Sequence, residues 1–140
     1  MTRDPLEALL RLRHLAVDQA RRGLADCLRV EGQAAQSVAA LQAAVEHEIE
    51  AATNPASGDA EVEAFAAWLR NIRPKQQAAH TAEAEAEAAT SQARAIVAAA
   101  RAAVRAAEEM LEEHVAARLA EAERHAQREL DEAARRDGER

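Results

Sequence analysis

Residues 53–59, TNPASGD, decide how this 140-residue chain folds. Asn54 precedes Pro55, and a proline ring disfavours helical backbone at the residue before it. Ser57, Gly58 and Asp59 are turn formers. Asp59 suits the N-cap of a second helix, with Glu61 and Glu63 in its first turn opposing the macrodipole. No other clear punctuation lies between residues 5 and 73. One turn between two long periodic runs predicts two helices folded back on each other.

Upstream of the turn the chain reads RDPLEALLRLRHLAVDQARRGLADCL from Arg3 onward. Asp4 is a good N-cap, Pro5 suits the first helical position, and Glu7 is placed to reach back to the cap. From there a heptad seam alternates four and three through Leu6, Leu10, Arg13, Val17, Ala20, Leu24, Cys27, Glu31, Ala34, Val38, Leu41, Val45, Glu48 and Ala52. Leu9, Leu28, Val30 and Ile49 flank this seam and are expected to widen it. Gly23 and Gly32 each weaken the helix by about 1 kcal/mol relative to alanine.

Downstream, Val62, Phe65, Leu69 and Ile72 open the second seam, and Gln76, Ala79, Ala86, Ala93, Val97, Ala100 and Val104 continue it in phase past Pro74. Preserved phase suggests a kink at 73–75, with a full break as the alternative. Beyond Val104 the apolar positions Leu111, Val115, Leu119, Ala122, Ala126, Leu130 and Ala133 fit an eleven-residue repeat better than a heptad. The tail RRDGER is expected to fray.

The expected fold is all-α, with two long helices forming an antiparallel coiled-coil hairpin and a projecting C-terminal helix. It is read as one elongated domain over 1–140, with a helix over 5–52, a turn over 53–59 and a helix over 60–135. A hairpin folded about residue 56 sets Leu6 near residue 106 and pairs about 50 residues per helix, about 75 Å. The second helix then overhangs the first by about 25–30 residues, about 40 Å. The overhang carries an apolar stripe with no partner inside the chain, which is the sequence mark of an intermolecular contact.

Composition agrees. Of 140 residues 40 are alanine, with one Phe, one Trp, no Tyr and a net charge of −7. Alanine is the best helix former and a poor core filler, so a compact aromatic-rich core is excluded. The acidic balance argues against nucleic acid as a partner. No stretch of 18 apolar residues exists, so direct membrane insertion is not expected. The N-terminal residues lack the apolar run of a signal peptide. A lone Cys27 fits a reducing, cytoplasmic setting and is read as a small core hydrophobe.

The sequence holds no catalytic constellation: no glycine-rich phosphate loop, no CxxC and no HExxH. Glu121, His125 and Glu129 share a helix face, but such spacing recurs by chance in a Glu-rich helix, and no metal site or cofactor is expected. Two regions stand out as partner surfaces. Phe65, Trp68, Leu69 and Ile72 hold both aromatics near the turn; three of them plug the core there, while Trp68 lies one position off the seam. Between Glu46 and Glu63 there are six acids and no Lys or Arg, whereas the first thirty residues carry six Arg against four acids. Arg11, Arg13, Arg21 and Arg22 either steer docking to an acidic partner or are ordinary surface charge.

The capped stretch PLEALLRLRHLAVDQARRGLAD, the two-helix coil and the projecting C-terminal helix together resemble the flagellar export protein family FliJ and its injectisome counterparts of the YscO type. The resemblance rests on Leu6, Leu9, Leu10, Leu12, Arg13, Leu15, Ala20, Arg21 and Leu24. It implies a non-enzymatic stalk-like coiled coil of the type III export apparatus. Such a protein inserts the end bearing both termini into the export ATPase hexamer, regulates it and links it to the membrane export gate. Some members are described as general chaperones or as escorts of export chaperones. On this chain the ATPase end implied by the resemblance comprises Leu6, Leu10, Arg11, Arg13, Arg21, Leu111, Val115 and Leu119. The gate end comprises Phe65, Trp68, Leu69 and Ile72. The implied location is cytoplasmic, peripheral to the inner-membrane export apparatus. The alternative is a homodimeric coiled-coil adaptor unrelated to secretion.

Overall fold

The computed structural model describes residues 4–139. Two helices account for nearly all of them: α1 over Pro5–Thr53 and α2 over Asp59–Gly138. The described residues contain no strand. This is the expected all-α helical hairpin.

Each helix end has a local cause. Asp4 caps α1: its Oδ1 accepts the Leu6 N–H at 2.9 Å, and its carbonyl accepts the Ala8 N–H at 3.2 Å. At the other end of α1 the orphan carbonyls are met by hydroxyls. Thr53 Oγ1 donates to Ile49 O at 2.8 Å, and Ser57 Oγ donates to Ala51 O at 2.6 Å. Asn54 shapes the turn by accepting the Ala56 N–H on its side chain and the Ser57 N–H on its carbonyl.

The start of α2 differs from the expected cap. Asp59 is already the first helical residue, and Gly58 occupies the cap position. The Gly58 carbonyl accepts the N–H groups of Glu61 and Val62, while the Glu61 carboxylate accepts the Gly58 N–H. This is the reciprocal arrangement of a capping box without a capping side chain. No described glycine has positive φ, so Gly58 serves here for want of a side chain and not for a left-handed turn.

Pro74 lies inside α2, which continues through it to Gly138. The helix is not broken at 73–75; the seam on both sides of the proline is worth more than the one backbone bond it removes. The tail stays helical through Gly138, with Arg135 and Arg136 in the last turn matching the negative helix end. An Arg136–Glu132 bond at 2.6 Å adds an i, i+4 pair, so fraying from Arg135 onward is not seen among the described residues.

Backbone proximity groups the chain into two compact units, Gln19–Val97 and Met1–Asp18 with Ala98–Arg140. In the first, every non-exposed position from Leu24 to Ala52 on the α1 seam follows the expected heptad, with Ala44 added beside it. Across from it, α2 presents Phe65, Leu69, Ile72, Gln76, Ala79, Glu83, Ala86, Thr90, Ala93 and Val97 at strict four-three spacing. Val38 of α1 and Ala86, Ala93 and Val97 of α2 are the buried apolar members of these two stripes. In the second unit Leu6, Leu10 and Val17 face Ala100, Ala103, Val104, Ala107 and Leu111, of which Val17, Val104 and Ala107 are buried.

Several expected seam residues are not covered. Arg13 is exposed, because a guanidinium leaves the apolar seam for water at little cost in backbone geometry. Leu28, Val30 and Ile49 do not widen the α1 seam but stand 43–51% exposed, since one narrow alanine-rich partner helix covers only a narrow stripe. Val62 is exposed for the same reason.

Candidate functional site

The residues expected to bind partners fall into both units, and each group stands by itself. In the unit formed by Met1–Asp18 and Ala98–Arg140, Asp4 Oδ2 lies 4.0 Å from His114 Nε2. A fold about residue 56 would bring Leu6 near residue 106; the start of α1 instead lies further along α2. Beyond this contact α2 has no covering helix within the unit, and every described residue from Glu112 onward is exposed.

The free length carries an exposed apolar stripe. Leu111 is half-buried at its root, Val115 is 47% exposed and Leu119 61%, and Leu130 follows at 65%. Leu111, Val115 and Leu119 line one open groove of about 360 Å³ with Glu112 and Ala116. Of the α1 residues expected at this end, Leu6 and Leu10 are half-buried in the hairpin seam, while Arg11 and Arg13 are exposed. Arg21 is exposed too but belongs to the other unit. The structure adds Leu12 and Leu15, each 63% exposed, and Met110, 50% exposed. Leu12 and Leu15 sit three apart, off the 6–10–13–17 seam, a phase visible in the sequence.

Further along the free helix, Glu121, His125 and Glu129 line a second shallow depression with Arg118, Ala122 and Ala126. His125 Nδ1 lies 3.5 Å from Glu129 Oε1, both strongly exposed. Among the described residues no three His, Cys, Asp or Glu side chains gather into a set that could hold a metal ion.

In the Gln19–Val97 unit, the residues near the turn do come together. Phe65, Trp68, Leu69 and Ile72 are all half-buried. Phe65 and Trp68 stack with ring centroids 6.3 Å apart and an interplanar angle of 27°. Trp68 is therefore not left free off the seam; its ring leans on Phe65, one turn earlier on α2. The two aromatics line an open groove of about 360 Å³ together with Ala51 and Ala52 of α1 and Ala64 of α2. Half-buried Glu48 and exposed Glu61 line it too. Leu69 and Ile72 lie below, in the seam.

Thr90 went unnoticed among the candidates because it is polar, yet it is the most deeply buried side chain described, 1% exposed. Its position could be found: 76, 83, 90, 97, 104 and 111 are seven apart. Its Oγ1 and the Oε2 of Glu31 are buried without a hydrogen-bond partner among the described residues.

No helix in the described residues is long and apolar enough to cross a membrane. The family model of the flagellar FliJ protein matches residues 2–140. No curated protein and no solved structure matches the chain.

Proposed function

This chain belongs to the flagellar FliJ family, whose members are components of the flagellar export apparatus and not known enzymes, and from that premise we propose that it works by insertion into the export ATPase ring. The free length of α2, with Leu111, Val115 and Leu119, is the inserted element, seated with Leu6, Leu10, Arg11 and Arg13 of α1. The groove end, with Phe65, Trp68, Leu69 and Ile72, meets the membrane export gate. The protein then sits peripherally at the export apparatus, regulates ATP turnover or ring assembly, and serves as a docking point for export chaperones.

One observation carries the reading. Past His114 an apolar stripe runs along a helix that no other part of its unit covers. Val115, Leu119 and Leu130 cost solvation free energy as they stand, about 25 cal/mol for each Å² of apolar surface left in water, and a ring of helices around them would recover it. A mixed Glu and Arg polar face on the same helix keeps it soluble while it waits.

The test is co-sedimentation and ATP turnover of the cognate export ATPase with and without the protein. Binding with raised turnover or ring assembly is the expected result. A folded, helical protein that neither binds at micromolar concentration nor alters turnover sinks the insertion reading and leaves a coiled-coil adaptor.

A further inference from the structure

The groove near the turn has a charge that its own fold does not use. Glu48 lines it with no ion-pair partner among the described residues. The last turn of α1 carries no basic residue, although a cation there would oppose the negative end of the helix dipole. Glu46, Glu48 and Glu50 crowd that end instead, and no Lys or Arg occurs from Glu46 to Glu63. Glu61 is accounted for, since its carboxylate holds the Gly58 N–H at the start of α2.

Helix stability would select the opposite charge at the end of α1. Of the carboxylates there Glu48 lines the groove, beside Trp68 stacked on Phe65 and with Ala51, Ala52 and Ala64. The ring face of tryptophan is the best aromatic partner for a cation, and alanines let a second backbone approach closely. A neutral apolar segment laid there would strip water from Glu48 and give nothing back. An acidic segment would be repelled.

We propose that this groove docks a basic segment of a partner protein, with an arginine or lysine side chain placed against Trp68 and paired to Glu48, and the segment's small or apolar flank against the alanines. The proposal deepens, and rests on, the reading of this end as the one that meets the export gate: it states the chemistry of the segment that binds.

Trp68 is the only tryptophan, so its emission reports on this groove alone. The probe is a capped twelve-residue peptide of leucine and arginine, with matched peptides carrying glutamate or glutamine in place of arginine. Titrated into the full chain, the arginine peptide shifts Trp68 emission and binds at least tenfold more tightly than the other two. Raising the salt from 50 to 500 mM weakens it severalfold. Glu48→Gln weakens it about tenfold, by calorimetry as well as emission, while Glu87→Gln, an exposed change elsewhere in the same unit, leaves it unchanged. Equal binding of the glutamate peptide, no shift of Trp68 emission, or an unaltered affinity in Glu48→Gln overturns the proposal.

A parallel binding assay with the cytoplasmic region of the export gate separates the two ideas. If the gate region binds the wild-type chain and Glu48→Gln equally, the basic-segment proposal falls while the gate reading stands. If the arginine peptide binds as described and the gate region does not, the gate reading falls and the docking chemistry stands with another export partner.

Discussion

Asp4 and His114 stand 4.0 Å apart, carboxylate to imidazole, and mark the point on α2 where α1 begins. Asp4 does two jobs there. It caps α1 through the Leu6 N–H, and it fastens the helix start to the neighbouring helix. The cap is the stronger of the two. A half-exposed histidine at 4.0 Å contributes well under 1 kcal/mol, and only while it carries its proton.

The consequence is measurable by urea unfolding. Asp4→Ala removes both contacts and costs about 1 kcal/mol. Asp4→Asn keeps an equally good cap and loses only the charge, so it stays within about 0.5 kcal/mol of wild type. Equal losses in the two variants would assign the energy to the ion pair instead.

The two helix glycines are a second place where stability was left aside. A Cβ added at Gly23 or Gly32 meets nothing within 4 Å, and neither glycine has positive φ. Gly32→Ala and Gly23→Ala should each add about 1 kcal/mol, and the pair about 2 kcal/mol, since they lie far enough apart to be independent. Thermal melts followed by circular dichroism check this. A neutral or destabilising outcome at either site would mean that the glycine permits a close approach from another molecule.

The course of the backbone was legible because its signals are local. Asn54-Pro55 and Ser57-Gly58 locate the turn, Asp4-Pro5 locates the first cap, and four-three spacing picks the residues that end up covered from Leu24 to Ala52. What escaped was decided by geometry between helices. Arg13 and Val62 share the seam phase with Val17 and Phe65, yet phase alone does not say how wide a stripe the partner covers. Glu83 and Thr90 are polar, so an apolar seam does not select them, although they share a seven-residue spacing with Val97 and Val104. At Pro74 the preserved phase of the seam pointed to a kink over a break, and α2 runs through the proline without interruption. Of the candidate surfaces, the exposed stripe at Val115 and Leu119 was readable as a seam without a partner. The groove at Trp68 was not, because it needs Ala51 and Ala52 of α1 brought against Ala64 of α2.

Thr90 offers the sharpest test of the core. Its hydroxyl is buried with no partner among the described residues, whose other buried side chains are all alanine or valine. Thr90→Val keeps the branched shape and removes the unpaired oxygen. Helix propensities of the two residues are nearly equal. The variant should therefore gain about 1 kcal/mol, the desolvation cost of an unmet hydroxyl. Thr90→Ala opens a small void instead and is expected to be neutral or worse. Destabilisation by Thr90→Val would show that the hydroxyl is bonded in solution, by water or by the nearby helix backbone.

The free stripe on α2 separates folding from binding. Leu119 is 61% exposed and Val115 47%, and within their unit no α1 residue lies beyond His114 to cover them. Leu119→Asp should therefore change unfolding free energy by less than about 0.5 kcal/mol, the range for exposed substitutions. In the insertion reading the same change buries a carboxylate against the ATPase ring, so co-sedimentation should weaken at least tenfold. Leu111→Asp is the contrasting variant: Leu111 is half-buried at the root of the stripe, so it should lose both stability and binding. A Leu119→Asp protein that melts like wild type and still binds the ATPase with unchanged affinity would take the free helix out of the interface and move the search to Leu12 and Leu15 on α1.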